Sequence, residues 1–127
     1  MTKTKYKNVK TAVNGIIFDS KKEATRYLYL LDKLKAGEIQ SLKLQPQFTL
    51  QEGFKTPTGE PVRSLIYKAD FEYYRPATDD DPYINLTNGG YVRVVEDVKG
   101  GAATQTSEFK LKQKLFLAKY GFPITIV

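Results

Sequence analysis

Val94-Val95-Glu96-Asp97-Val98-Lys99, running into Gly100-Gly101, is the stretch on which the reading of this chain turns. A β-branched, largely apolar run closed by two glycines predicts a strand over residues 91–99. The strand period of two sets Asp97 and Lys99 on one face and Glu96 and Val98 on the other, so a carboxylate and an ammonium become neighbours at its end. A bulge or a one-residue slip exchanges Glu96 for Asp97 on that face.

Upstream, residues 65–74 alternate as a second strand, with Leu65, Tyr67, Ala69, Phe71 and Tyr73 on one face and Ile66, Lys68, Asp70, Glu72 and Tyr74 on the other. Asp70, between Ala69 and Phe71 in so apolar a strand, is costly unless it is paired or holds a metal. Residues 42–50 predict another strand, with Pro46 marking an edge or an entry, and residues 53–61, rich in turn formers, predict a loop. Residues 76–90 turn polar, with Asp79, Asp80 and Asp81 and the run Asn88-Gly89-Gly90, and read as a surface connection. The acidic triplet lacks the spacing and the closing glutamate of a calcium-binding loop, so it reads as solvated.

Two helices flank these strands. Asn14-Gly15 predicts a hairpin turn before Ile16-Ile17-Phe18. Ser20 and Glu23 then fit a capping box, and Ala24, Tyr27, Leu28, Leu31 and Leu34 recur at helical spacing until Gly37, giving a helix over residues 21–36. Ser107 is the expected cap of a second helix, in which Phe109, Leu111, Leu115, Phe116 and Ala118 form the buried face before Gly121 and Pro123 end it. Residues 124–127 predict a last short strand. The order helix, three strands, helix, strand makes an α/β fold with a mixed central sheet flanked by helices, in one domain spanning residues 1–127.

With 20 Lys and Arg against 14 Asp and Glu, the net charge of +6 favours a phosphate-bearing partner. The absence of cysteine and histidine excludes disulfides, thiolate metal sites and imidazole chemistry, so catalysis must run on carboxylates, lysines, hydroxyls and hard metal ions. The basic residues 1–10 lack the apolar run of a signal peptide, and no stretch reaches the roughly 18 apolar residues of a membrane span. The protein is therefore expected in the cytoplasm where it is made, with no membrane partner.

Phosphodiester hydrolysis needs the groups gathered here: carboxylates to hold Mg²⁺ or Mn²⁺, and a lysine to orient the nucleophile or offset phosphoryl charge. Asp70 followed by Asp97-Val98-Lys99 resembles the signature of the PD-(D/E)XK nuclease superfamily, an acid and then acid-x-Lys. More closely, Phe18-Asp19-Ser20-Lys21-Lys22-Glu23-Ala24, Ala69-Asp70-Phe71 and Glu96-Asp97-Val98-Lys99-Gly100 are similar to a group of small phage-encoded proteins assigned to that superfamily. Ala69 stands where the superfamily's proline is expected. The resemblance implies a restriction-endonuclease-like core and a metal-dependent DNA endonuclease. Its metal would be held by Glu23, Asp70, Asp97 and the Val98 carbonyl, with Lys99 on the attacking water. Glu23 takes the place of the first-helix glutamate found in the Holliday-junction-resolvase-like branch. By analogy the substrate is branched or recombination DNA, and phage replication or recombination proteins are the partners implied.

Each of these residues also has a plain structural role to weigh. Glu23 can serve only its helix cap, Asp97 and Lys99 can be an ordinary ion pair, and Asp70 can pair with a lysine. Lys110, Lys112 and Lys114 on the second helix suit either phosphate contact or solvation. The alternative function is a nucleic-acid-binding accessory protein that keeps the nuclease-like fold without cutting. A domain this small covers little DNA alone, which leaves room for a homodimer.

Overall fold

The computed structural model describes residues 9–81, 90–101 and 104–127. The basic residues 1–8, and Asn88 and Gly89 of the polar connection, lie outside that set.

Asn14 and Gly15 both take positive φ, 52° and 79°, which is the backbone a two-residue hairpin requires. They join β1 (Thr11–Val13) to β2 (Ile16–Phe18). Helix α1 (Lys21–Lys35) follows, capped by Ser20, whose Oγ accepts the Glu23 N–H at 3.1 Å, and it ends before Gly37 in the left-handed region. Its buried residues are Ala24, Tyr27 and Leu30; Leu28, expected inside, is 47% exposed. Leu30 lies three residues beyond Tyr27 and takes the inward position, which turns Leu28 outward.

The strand expected over residues 42–50 is two strands, β3 (Gln40–Leu44) and β4 (Gln47–Gln51). That expected over residues 65–74 is also two, β7 (Leu65–Lys68) and β8 (Phe71–Pro76). Both breaks fall at one place. Gln45 takes φ 50° and Pro46 has no N–H to give, so the paired ribbon bends there. Gln45 N–H donates to the Asp70 carbonyl at 2.9 Å, and Ala69 N–H donates to the Pro46 carbonyl at 3.0 Å. Below the bend β4 pairs only with β7; above it β3 pairs with β8. Residues 53–61 are not a plain loop either: β5 (Phe54–Lys55) and β6 (Pro61–Val62) form a short hairpin at the far end of the ribbon.

Strand β9 (Tyr91–Asp97) runs antiparallel to β8, and β10 (Thr125–Ile126) runs parallel to β9, giving a mixed four-stranded sheet in the order β10-β9-β8-β3. Between β9 and β10 the chain crosses through α2 (Ser107–Tyr120). The cap of α2 is Thr106, one residue before the expected Ser107; its Oγ1 accepts the Phe109 N–H at 3.1 Å. Leu111 and Ala118, expected inside, are exposed. Each lies two residues, about 200° of helix, beyond a buried phenylalanine, Phe109 or Phe116.

The sheet separates two cores. Phe18, Ala24, Tyr27, Leu30, Phe71, Tyr73, Val92 and Val94 pack on the α1 side, and Phe48, Tyr67, Ala69, Val95, Phe109, Phe116 and Ile124 on the α2 side. Tyr67 and Ala69 thus face away from Phe71 and Tyr73, although an unbroken strand would align all four. The bend at Asp70 makes that exchange of faces. The architecture is α/β, with two helices on a mixed sheet, and no helix among the described residues is long and apolar enough to cross a membrane.

Candidate active site

Three separate elements deliver the acids named from the sequence. Glu23 stands in the first turn of α1, Asp70 sits at the bend between β7 and β8, and Asp97 ends β9. Glu23, Asp70, Asp97, Val98 and Lys99 all line one cavity of about 550 Å³, together with Asp19, Lys22 and Lys68. Lys112 lines an adjoining cavity, whereas Lys110 and Lys114 are exposed on α2 and line neither.

The end of β9 is held by backbone pairing on both sides. Asp70 N–H donates to the Glu96 carbonyl at 3.0 Å, Lys99 N–H to the Val127 carbonyl at 3.1 Å, and Val127 N–H to the Asp97 carbonyl at 3.0 Å. Strand geometry itself stops at Asp97, two residues short of the expected end. Lys99 still falls on the Asp97 side, its Nζ 3.1 Å from Asp97 Oδ1 and 3.9 Å from the centre of the Phe109 ring. Lys22 Nζ donates to the Lys99 carbonyl and ties the start of α1 to this turn.

The register decides between Glu96 and Asp97. Glu96 is fully buried on the α1 side, with Arg26 Nε and Nη2 donating to its two carboxylate oxygens at 2.8 and 2.6 Å, and Tyr73 Oη donating to Oε2. Both its oxygens are engaged, and it does not line the cavity. Asp97 faces the α2 side, where Tyr67 Oη donates to its Oδ2 at 2.6 Å. Asp70 is fixed by the Val98 N–H, which donates to its Oδ2 at 2.6 Å.

Electrostatically the cavity is strained toward protons or cations. Burial, then the Asp70, Asp19 and Asp97 carboxylates, push the Glu23 carboxyl up to about 7, with Lys68 opposing. Burial chiefly, with Asp97 adding to it, raises Asp70 to about 6 against the lowering effect of the Val98 N–H and Lys99. Burial and Asp97 hold the Tyr67 hydroxyl protonated well above the usual tyrosine range, so it remains a donor. Hard oxygen donors whose mutual repulsion is relieved by positive charge suit Mg²⁺ or Mn²⁺. Among the described residues no three acidic side chains close into a ready metal cluster.

Sequence reasoning missed Lys22, Arg26 and Tyr67. A signal existed for Arg26, which lies three residues beyond Glu23 at helical-neighbour spacing; Lys22 adjoins Glu23 in sequence but not on the helix face. None existed for Tyr67, whose alternation marked it only as core. The reciprocal half of the capping box is absent: the Glu23 carboxylate accepts no hydrogen bond from Ser20, which leaves it to the cavity. In the polar connection Asp81 is not merely solvated. Arg75 Nη2 donates to it at 2.6 Å and Thr78 N–H at 2.7 Å, and the guanidinium holds its carboxyl down at about 2.

Residues 3–123 match the family described as Protein of unknown function (DUF1064). No curated protein and no solved structure gives a match.

Proposed function

We propose that this chain, which belongs to the family described as Protein of unknown function (DUF1064), is a metal-dependent endonuclease that hydrolyses phosphodiester bonds in DNA. The observation that carries the reading is the convergence of Glu23, Asp70, Asp97 and Lys99, from α1, the β7–β8 bend and the end of β9, on one cavity. The succession α1, β3–β4, β7–β8, β9, α2, β10 supports a restriction-endonuclease-like core. The basic balance of the chain supports a polyanionic substrate.

Asp70, Asp97 and the Val98 carbonyl would hold the ion, with Glu23 beside them in the same cavity. Mg²⁺ or Mn²⁺ supplies Lewis-acid polarisation of the phosphodiester and a more acidic water when bound. Val98 N–H and Tyr67 Oη occupy one oxygen of Asp70 and of Asp97 respectively, which fixes both carboxylates; the second oxygen of Asp70 is left to give, and that of Asp97 is the one beside Lys99 Nζ. Lys99, whose Nζ lies 3.1 Å from Asp97 Oδ1, would orient the attacking water and offset phosphoryl charge.

The test is incubation with Mg²⁺ or Mn²⁺ on single-stranded, duplex, flap and four-way-junction DNA, with Asp97→Ala and Lys99→Ala alongside. Cleavage that needs metal and falls by about 10²–10⁴-fold in each variant is expected. Binding without cutting on every substrate would overturn the nuclease reading and leave the accessory DNA-binding protein.

A further inference from the structure

A second cavity, of about 320 Å³, adjoins the first and shares three of its residues, Lys68, Asp97 and Lys99. Neither Glu23 nor Asp70 lines it. Its remaining charged groups are Lys112 and Glu108, one helical turn apart on α2 and paired at 3.3 Å. That pair is weak, because the Glu108 side chain is 77% exposed. Glu108 can therefore swing into water and release the Lys112 ammonium at little cost.

Lys68 is differently placed from both. It is exposed on the last residue of β7, makes no ion pair or hydrogen bond among the described residues, and lines both cavities. Lys99, by contrast, is engaged with Asp97 and the Phe109 ring. Thr106 also lines the second cavity; its Oγ1 accepts the Phe109 N–H, so its hydroxyl proton is free to donate outward. The first cavity balances four carboxylates with four lysines, whereas its neighbour carries three lysines against two carboxylates, one of them the exposed Glu108, and so favours an anion.

We propose that the cleft between β7 and the first turns of α2 is a second anion-binding position, in which Lys68, Lys112 and the Thr106 hydroxyl take the phosphate next to the one that is cut. The proposal rests on the nuclease reading and extends it. Lys68 stands at the junction, so a strand crossing from one cavity to the other passes it with one phosphate on either side. Phosphate contacts of this kind set register and affinity without reading bases.

Binding, not cleavage, tests it. Anisotropy of a fluorescein-labelled DNA oligonucleotide is followed against salt, in EDTA and again in Ca²⁺, for the parent protein, Lys68→Ala, Lys68→Arg, Lys112→Ala and Lys35→Ala. Lys35 lies exposed at the far end of α1 and controls for loss of one charge anywhere. Lys68→Ala and Lys112→Ala are expected to weaken binding severalfold and each to lower the slope of log Kd against log salt by about 1, with Lys68→Arg restoring it. Parent-like slopes in both alanine variants, or losses no larger than that of Lys35→Ala, overturn the second position and leave the nuclease reading standing. Failure of the parent protein to bind in either condition overturns both, and shows itself in the parent rather than in the variants.

Discussion

Glu23 is the residue on which the metal-free chemistry of the cavity is most legible. Its carboxyl titrates near 7 in the folded chain and near 4.5 when unperturbed, so between those values the folded state holds more protons than the unfolded one. Stability of the metal-free protein is therefore expected to fall as pH rises from 4.5 to 7, with Asp70 adding to the slope up to about 6. Glu23→Gln should flatten that fall. Mn²⁺ needs the deprotonated carboxylates, so its stabilising effect should grow over the same window. Thermal melts across this range, with EDTA or Mn²⁺, check all three, and an unchanged slope in Glu23→Gln would mean that its carboxyl is not under this field.

At the scale of elements, the join between α1 and β9 governs the site. Arg26 is one turn beyond Glu23, and Glu96 is next to Asp97, so the Arg26–Glu96 ion pair locks two of the acid-bearing elements together. The Glu96 carbonyl adds the third by accepting the Asp70 N–H. Removing Arg26 leaves a fully buried carboxylate with only Tyr73 as donor. Arg26→Ala is expected to cost about 3 kcal/mol in urea unfolding. The double variant Arg26→Ala/Glu96→Gln should recover part of that, because the stranded charge is gone. A loss in Arg26→Ala near zero would show that α1 is held to β9 by its apolar face alone.

Across the whole molecule the sheet divides two cores that the bend at Asp70 ties together. Phe71 belongs to one and Phe116 to the other, and each is almost entirely buried. Phe71→Ala and Phe116→Ala are each expected to cost about 3–5 kcal/mol. Because β7 and β8 are one continuous chain serving both cores, each variant should shift a single unfolding transition seen alike by far-ultraviolet circular dichroism and tyrosine fluorescence. Two separated transitions would mean that the cores unfold independently. The same division explains the placement of the site, since Asp70 lies where the ribbon passes from one face of the sheet to the other.

Local signals determined a great deal of this by themselves. The Asn14-Gly15 hairpin, the Ser20-capped helix ended by Gly37, the Gly121 stop of α2 and the pairing of Asp97 with Lys99 all follow from backbone preference and the period of two, which act over a few residues. Asp70, Asp97 and Lys99 stood out for the same reason, charge in or at the end of an apolar run, whereas Glu23 was marked only by its place at the start of the first helix. Only the tertiary structure decided the rest. Neighbouring residues do not reveal that Gln45 and Pro46 will bend against Asp70 and split two strands into four, because that bend depends on pairing between segments 25 residues apart. Nor do they reveal that Leu28, Leu111 and Ala118 turn outward, since the buried face of a helix is chosen by what packs against it. The choice of Asp97 over Glu96 was likewise a matter of register with β8, and the Tyr67 hydroxyl on Asp97 arises where two strands cross the same core.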